Sequence, residues 1–195
     1  MSDDWEGRLG AVATAAAVSG DAAVRLADYV AELLRWSRRL NLTSLDGVGI
    51  VERLVAPTLP FAGSGAYRSA AAFADLGSGN GVPGVILQVV APRTRCCLIE
   101  PRQRRAAFLR HLVRALELVH TEVIESRAEA VAWDATEKVD LVVSRAVAAP
   151  ANLLPWAAPL LAEGGTVALW GVATEVAGWQ ATPAGPATLY SPCFT

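Results

Sequence analysis

The chain has 195 residues, enough for one domain with a sizeable core. Hydrophobic residues make up 53% and charged residues 18%, which excludes a disordered polymer. A formal net charge of -2 excludes a strongly basic nucleic-acid binder, so any RNA contact must come from a local patch. The basic residues are almost all arginine, Lys138 being the one lysine. Arginine keeps its charge and stacks on bases.

The N-terminal third reads as helical. Gly10 to Ser19 is apolar but follows Asp3, Asp4 and Glu6, so it lacks the basic flank of a signal peptide. Asp21 to Leu40 carries Val24, Ala27, Val30, Leu34 and Leu40 near helical spacing, with Asp21 as the expected N-cap. A short helix is expected over Val48 to Val55, ending before Pro57. Gly63 to Ser69 reads as a linker. From Ala70 short apolar runs alternate with helical stretches. The expected strands are Ala72 to Leu76, Arg95 to Glu100, Thr121 to Glu125, Val139 to Ser144 and Thr166 to Trp170. The expected helices are Val82 to Val90, Arg102 to Leu118, a short one at Ala128, and Pro150 to Leu161. Strands that are nearly all apolar, alternating with helices, imply an α/β fold with a parallel sheet covered on both faces.

Three cysteines, Cys96, Cys97 and Cys193, argue against a disulfide framework and for a reducing compartment. Their spacing suggests no metal site. No apolar run reaches transmembrane length. The expected location is cytoplasmic.

The richest local signal is Phe73 to Gly84, FADLGSGNGVPG, which places four glycines within Gly77 to Gly84. In an open parallel sheet, ligands bind beyond the carboxyl ends of the strands. Glycines there allow sharp turns and close approach. Two nucleotide patterns compete. Gly79, Gly81 and Gly84 fit the dinucleotide G-x-G-x-x-G. Asp75, Gly77, Gly79 and Gly81 instead fit D-x-G-x-G-x-G, which resembles the first motif of class I methyltransferases that use S-adenosyl-L-methionine (SAM). There the acidic residue faces the cationic methionine end. Glu100, closing the second strand, suits both ribose hydroxyls under either reading.

Other stretches choose between them. WSRRLNLTS (Trp36 to Ser44), LGSGNGVPG, EPRQRRAAFL after strand two, then ESRAE and VVSRA, together resemble the RsmG (GidB) family. That family transfers methyl from SAM to N7 of a guanine in 16S ribosomal RNA. The resemblance covers roughly Trp36 to Gly171. It implies a class I SAM-dependent methyltransferase core over residues 67–195, Rossmann-like, with an N-terminal helical extension over residues 1–66. It assigns cofactor contacts to Gly77, Val82, Ala128, Glu129 and Arg145, joined by Asp75, Gly79, Gly81 and Glu100. Arg145 is also the expected catalytic-site residue. No general base is nominated, because guanine N7 has a free lone pair. His111 and His120 are expected to be structural or surface residues.

RNA contacts are expected at Arg39, Asn41, Arg104 and Arg105, within two clusters. One is Arg35, Arg38 and Arg39. The other runs through Arg93, Arg95, Arg102, Arg104, Arg105, Arg110 and Arg114. The expected partner is 16S rRNA or the 30S subunit, with no metal and no membrane, and a monomer is the favoured state.

Some positions depart from the family pattern. Leu54, Pro57 and Thr58 stand where the family usually has His, Asp and Ser, and Trp170 stands where it has Lys. Only one strand is visible after the fifth, in Thr188 to Phe194, and Pro192 weakens it. The last strand of the core is therefore in question. The departures keep open a SAM-binding relative with another substrate or no activity; a third reading, a dinucleotide-dependent oxidoreductase, is disfavoured by the position of Asp75 and the displaced glycine triplet.

Overall fold

The computed structural model describes residues 4–92, 95–131, 133–134, 137–171 and 173–193. The chain opens with α1 (Trp5–Ala15) and the long α2 (Gly20–Leu40). The cap of α2 is Ser19, whose Oγ accepts from the Ala22 amide, not the expected Asp21. Asp21 instead sits in the first turn, where a carboxylate suits the helix dipole. Asn41, at φ +48°, ends the helix in the left-handed conformation that asparagine tolerates.

The helix expected over Val48 to Val55 forms in two parts. α3 (Gly47–Ile50), capped by Asp46, runs into a π-helical turn over Val51–Val55. After α4 (Leu59–Ala62), most of the linker expected over Gly63 to Ser69 is also helical, as α5 (Gly65–Ser69). Ser64 caps α5, and the Tyr67 ring is buried against Phe61 and Phe73. That packing draws a glycine- and serine-rich stretch into a helix.

The sheet follows. Its strands are β1 (Ala72–Leu76), β2 (Arg95–Ile99), β3 (Thr121–Ile124), β4 (Val139–Arg145), β5 (Leu161–Trp170), β6 (Trp179–Ala184) and β7 (Ala187–Pro192). Between them lie α6 (Gly84–Val90), α7 (Gln103–Ala115) and α8 (Pro150–Ala157). The sheet order is β3-β2-β1-β4-β5-β7-β6. β1 to β5 pair in parallel, while β7 pairs antiparallel with both β5 and β6.

β6 corrects the expectation of a single strand after the fifth. Its residues are exposed or half-buried, so it carries no apolar alternation to read. Pro183 is tolerated within it because β6 is an edge strand. β5 starts earlier than expected, at Leu161, through an irregular register opposite Val139 to Leu141 that Gly164 and Gly165 accommodate. α7 ends at Ala115, three residues before expected, and Glu117 then turns to φ +51°.

Alternate residues of each central strand feed opposite faces, the period-two rule of a sheet. Phe73, Leu98, Leu141 and Val143 pack with Leu26, Tyr29, Leu33, Ile86 and Phe108. Ala74, Leu76, Ile99 and Val142 pack with Leu153, Leu154 and Tyr190. The N-terminal helices thus share one core with α6 and α7, which sets the end of α2 beside the carboxyl ends of the strands.

Candidate cofactor site and RNA-facing rim

The glycine loop leaves β1 at its carboxyl end. The amides of Gly77 and Ser78 both donate to the Ile99 carbonyl, at 2.8 and 3.1 Å, and tie the loop to β2. Gly77, Gly79 and Gly81 have φ of +71°, +49° and +93°, where a side chain would strain the backbone. A Cβ at Gly77 would also overlap Val147. Gly84 has another role: a Cβ there would lie 2.6 Å from Asp75 Oδ2 and 2.7 Å from Leu98. Three glycines shape the loop and the fourth lets α6 approach β1.

Asp75 is fully buried. Its Oδ2 accepts from the Gly84 amide at 2.9 Å, while Oδ1 is enclosed without a partner. Desolvation pushes its carboxyl up to about 7, against the bond from Gly84. Glu100 is buried at the end of β2. Its Oε2 accepts from the Gly79 amide at 3.0 Å and its Oε1 from the Arg102 amide at 2.9 Å. Each oxygen keeps acceptor capacity. From the helical layer, the buried Tyr29 hydroxyl donates to the Asn80 carbonyl at 3.0 Å.

These elements enclose a cavity of about 500 Å³, within the range of small-molecule sites. Gly77, Gly79, Val82, Glu100 and Arg145 line it, as does Arg105. Asp75 lies beneath the loop and does not line it; Gly81 does not line it either. Ala128 and Glu129 form a 3-10 turn away from this lining, with Ala128 packed toward the second core and Glu129 3.6 Å from Arg127. Reading the sequence did not assign Leu42, Leu54, Asn80 and Val147 to the site, and these also line the cavity. Only tertiary packing brings them there. Leu42 lies within the WSRRLNLTS stretch and Leu54 at a departure from the family pattern, but neither was assigned to the cavity.

Arg145 is half-buried. Its Nη2 donates to the Arg53 carbonyl at 2.6 Å and its Nη1 is enclosed without a partner. Burial lowers its pKa, an effect the nearby Tyr29 opposes. It pairs with neither Asp140 nor Glu125. Asp140 accepts from the Ala71 and Ala72 amides, and Glu125 pairs with Arg110.

The arginine-rich stretch divides. Arg95 pairs with Glu122 at 2.7 Å and Arg110 with Glu125 at 2.9 Å, which removes both from a free basic face. Arg93 lies outside the described residues. Arg102, Arg104 and Arg105 open α7 with no acidic side chain in the first turn. Arg38, Arg39 and Asn41 are exposed at the end of α2. His111 is structural, as expected: its Nε2 is 2.7 Å from Glu32 and its ring lies against Trp36. Trp170 sets its edge against Phe61, with centroids 4.9 Å apart. Among the described residues no helix is long and apolar enough to cross a membrane, and no cluster suits a metal ion.

A parallel five-stranded core, an antiparallel β7 inserted beside β5, and a glycine-lined cavity at the carboxyl end of β1 define a class I methyltransferase fold. Solved structures agree on the fold. A methyltransferase from Geobacter sulfurreducens superposes with TM-score 0.57 at 14% identity, covering 86% of this chain and 89% of that one. Ribosomal protein L11 methylase from Lactobacillus delbrueckii subsp. bulgaricus superposes with TM-score 0.51 at 17% identity, covering 70% and 77%.

Residues 23–183 match the family model of rRNA small subunit methyltransferase G, GidB, and the chain belongs to that family. Ribosomal RNA small subunit methyltransferase G from Roseiflexus sp. (strain RS-1) is 39% identical over 73% of this chain. The chain spans 62% of that relative's length, and 74% of the homologue from Janthinobacterium sp. (strain Marseille), which is 36% identical over 80% of this chain. The dinucleotide oxidoreductase reading falls with this assignment.

Proposed function

We propose that the chain transfers a methyl group from SAM to N7 of a guanine in 16S ribosomal RNA. The observation that carries the cofactor half is the glycine-shaped cavity that holds the Glu100 carboxylate at its wall. SAM fits this donor set. Gly77 and Gly79 offer bare backbone, Val82 an apolar surface, and Glu100 a carboxylate already oriented by two amides and able to accept from ribose hydroxyls. When bound, SAM supplies an electrophilic methyl on a sulfonium. Ala128 and Glu129 are proposed as adenine contacts from outside the cavity wall.

The protein's task is positioning. N7 attacks without losing a proton, so holding the reacting atoms in line supplies the catalysis. Arg145, fixed by the Arg53 carbonyl at the cavity wall, is proposed to orient the reacting groups. Asp75 acts indirectly, by holding the Gly84 amide and so the start of α6.

The RNA half rests on charge. Cations at a helix N-terminus oppose the dipole, yet Arg102, Arg104 and Arg105 crowd the start of α7 with no acid in its first turn. A polyanion relieves that repulsion. Arg104 and Arg105, with Arg39 and Asn41 from α2, are the proposed RNA contacts. The partner is proposed as 16S rRNA or the 30S subunit, met by a monomer in the cytoplasm.

The test is methyl transfer from radiolabelled SAM to 16S rRNA and to 30S subunits lacking this modification, with SAM binding measured by calorimetry. Label at one guanine N7 is expected. SAM binding without transfer to either substrate would overturn the RNA assignment, and favour a relative with another substrate or none.

A further inference from the structure

The last turn of α2 holds a second pocket, about 370 Å³, lined by Arg35, Trp36, Arg38, Arg39 and Leu40. Its aromatic wall is held in place. Glu32 Oε2 accepts from Trp36 Nε1 at 3.2 Å, from Arg35 Nη2 at 2.6 Å and Nε at 3.1 Å, and meets His111 Nε2 at 2.7 Å. The Trp36 ring also packs on Phe108 at 5.6 Å and on His111 at 5.1 Å. One carboxylate therefore fixes an indole and a guanidinium on one wall, while α7 supports the ring from behind.

Arg38 and Arg39 are different. Both are exposed, and neither enters an ion pair among the described residues, unlike Arg8, Arg25, Arg35, Arg95, Arg110 and Arg127. Their place at a helix C-terminus suits the dipole, which is the ordinary explanation. It does not explain a braced indole beside them. Nor does it explain where the helix ends, since Leu42, just past the Asn41 cap, lines the cofactor cavity together with Arg102 and Arg105. The cations that end α2 therefore lie three and four residues along the chain from a residue of that cavity's wall.

We infer that this pocket is a second nucleotide subsite, in which an unstacked base of the RNA lies on Trp36 while Arg38 and Arg39 hold its phosphates. The inference rests on the function proposed above. Single-stranded RNA is recognised by stacking on aromatic or guanidinium planes with cations along the backbone, and this wall offers both. Glu32 is then a positioning residue, which acts through Trp36 and Arg35.

The experiment compares wild type with Arg38→Ala, Arg39→Ala and Glu32→Gln. A distant control is Arg68→Ala, on α5. Binding to a single-stranded segment of 16S rRNA is measured across salt concentration, and methyl transfer is measured alongside. Each arginine variant is expected to lower the magnitude of the slope of log K against log salt by about 0.7, the value for one phosphate contact on a single strand. In transfer, KM for RNA is expected to rise with kcat held and SAM affinity unchanged. Glu32→Gln is expected to weaken RNA binding and reduce stacking-induced quenching of tryptophan fluorescence, while the salt slope stays the same. Arg68→Ala is expected to match wild type. Wild-type slopes in Arg38→Ala and Arg39→Ala, with active wild-type enzyme, would overturn the subsite and leave the methyltransferase reading standing. Weakened binding to 30S subunits with unchanged binding to naked RNA would also overturn it, and assign the surface to a ribosomal protein. Altered slopes in a protein that transfers no methyl would support the subsite and sink the proposed reaction.

Discussion

Two carboxylates at the strand ends do different work, and both make predictions. Glu100 was legible in the sequence because an acidic residue closing strand two has a geometric reason to face a ribose. Asp75 was legible as part of the motif, but its seal beneath the loop was not, because its burial depends on the start of α6 packing against it at Gly84. The raised carboxyl sets the sign of a pH effect. The folded protein keeps its proton up to about pH 7, while the unfolded chain loses it near pH 4. Stability from this group is fully present below about pH 4 and is lost as pH rises through 7. Asp75→Asn should flatten that fall, read as urea midpoints at pH 5 and pH 7.5. A variant that declines as steeply as wild type would place the pH dependence elsewhere. Gly79→Asp tests the loop itself. It forces an aspartate to φ +49° and sets a carboxylate toward Glu100 Oε2, which lies 3.9 Å from the new Cβ. Strain of about 1–3 kcal/mol and like-charge repulsion should reduce SAM affinity by at least about tenfold in calorimetry. Unchanged affinity would mean that the loop does not hold the cofactor.

At the scale of elements, β1, β2, β4 and the second half of β5 were legible because strands buried on both faces are mostly apolar, while the half-buried edge strand β3 was legible from its β-branched residues Thr121, Val123 and Ile124. β6 was hidden for the opposite reason. As an edge strand it buries little, and its pairing with β7 is a property of the hairpin and not of its own residues. The π-helical turn over Val51–Val55 carries no local signature either. Its place beside the Arg145 contact at Arg53 reflects tertiary packing, and π-turns often mark functional sites. The link between α2 and the glycine loop was likewise unreadable, since Tyr29 and Asn80 are 51 residues apart. Tyr29→Phe should cost about 1 kcal/mol of stability, from one buried hydrogen bond and the Asn80 carbonyl left unpaired. It should weaken SAM binding more than it lowers the melting temperature of the ligand-free protein would suggest, because the loop loses its tether. Equal binding by the variant and wild type would reduce Tyr29 to a core residue.

For the whole molecule, the shared core makes a prediction that neither half makes alone. Leu26, Tyr29 and Leu33 of α2 pack with Ile86 of α6, Leu98 of β2 and Phe108 of α7, so the helical layer and the sheet bury one apolar face together. A ligand seated in the cavity touches Leu42 and Leu54 from the N-terminal helices and Glu100 and Arg145 from the sheet. It should therefore stabilise one cooperative unit rather than a local loop. At about a hundred times its dissociation constant, a ligand that binds only the folded state adds about 2.7 kcal/mol. For a chain of this size that is a rise of roughly 5–10 °C in melting temperature. S-adenosylhomocysteine, the product form of the cofactor, should produce that shift as a single transition, and NAD should produce none. Two transitions with only one of them moved would show that the N-terminal helices unfold independently of the cavity. A shift with NAD and none with S-adenosylhomocysteine would overturn the cofactor itself.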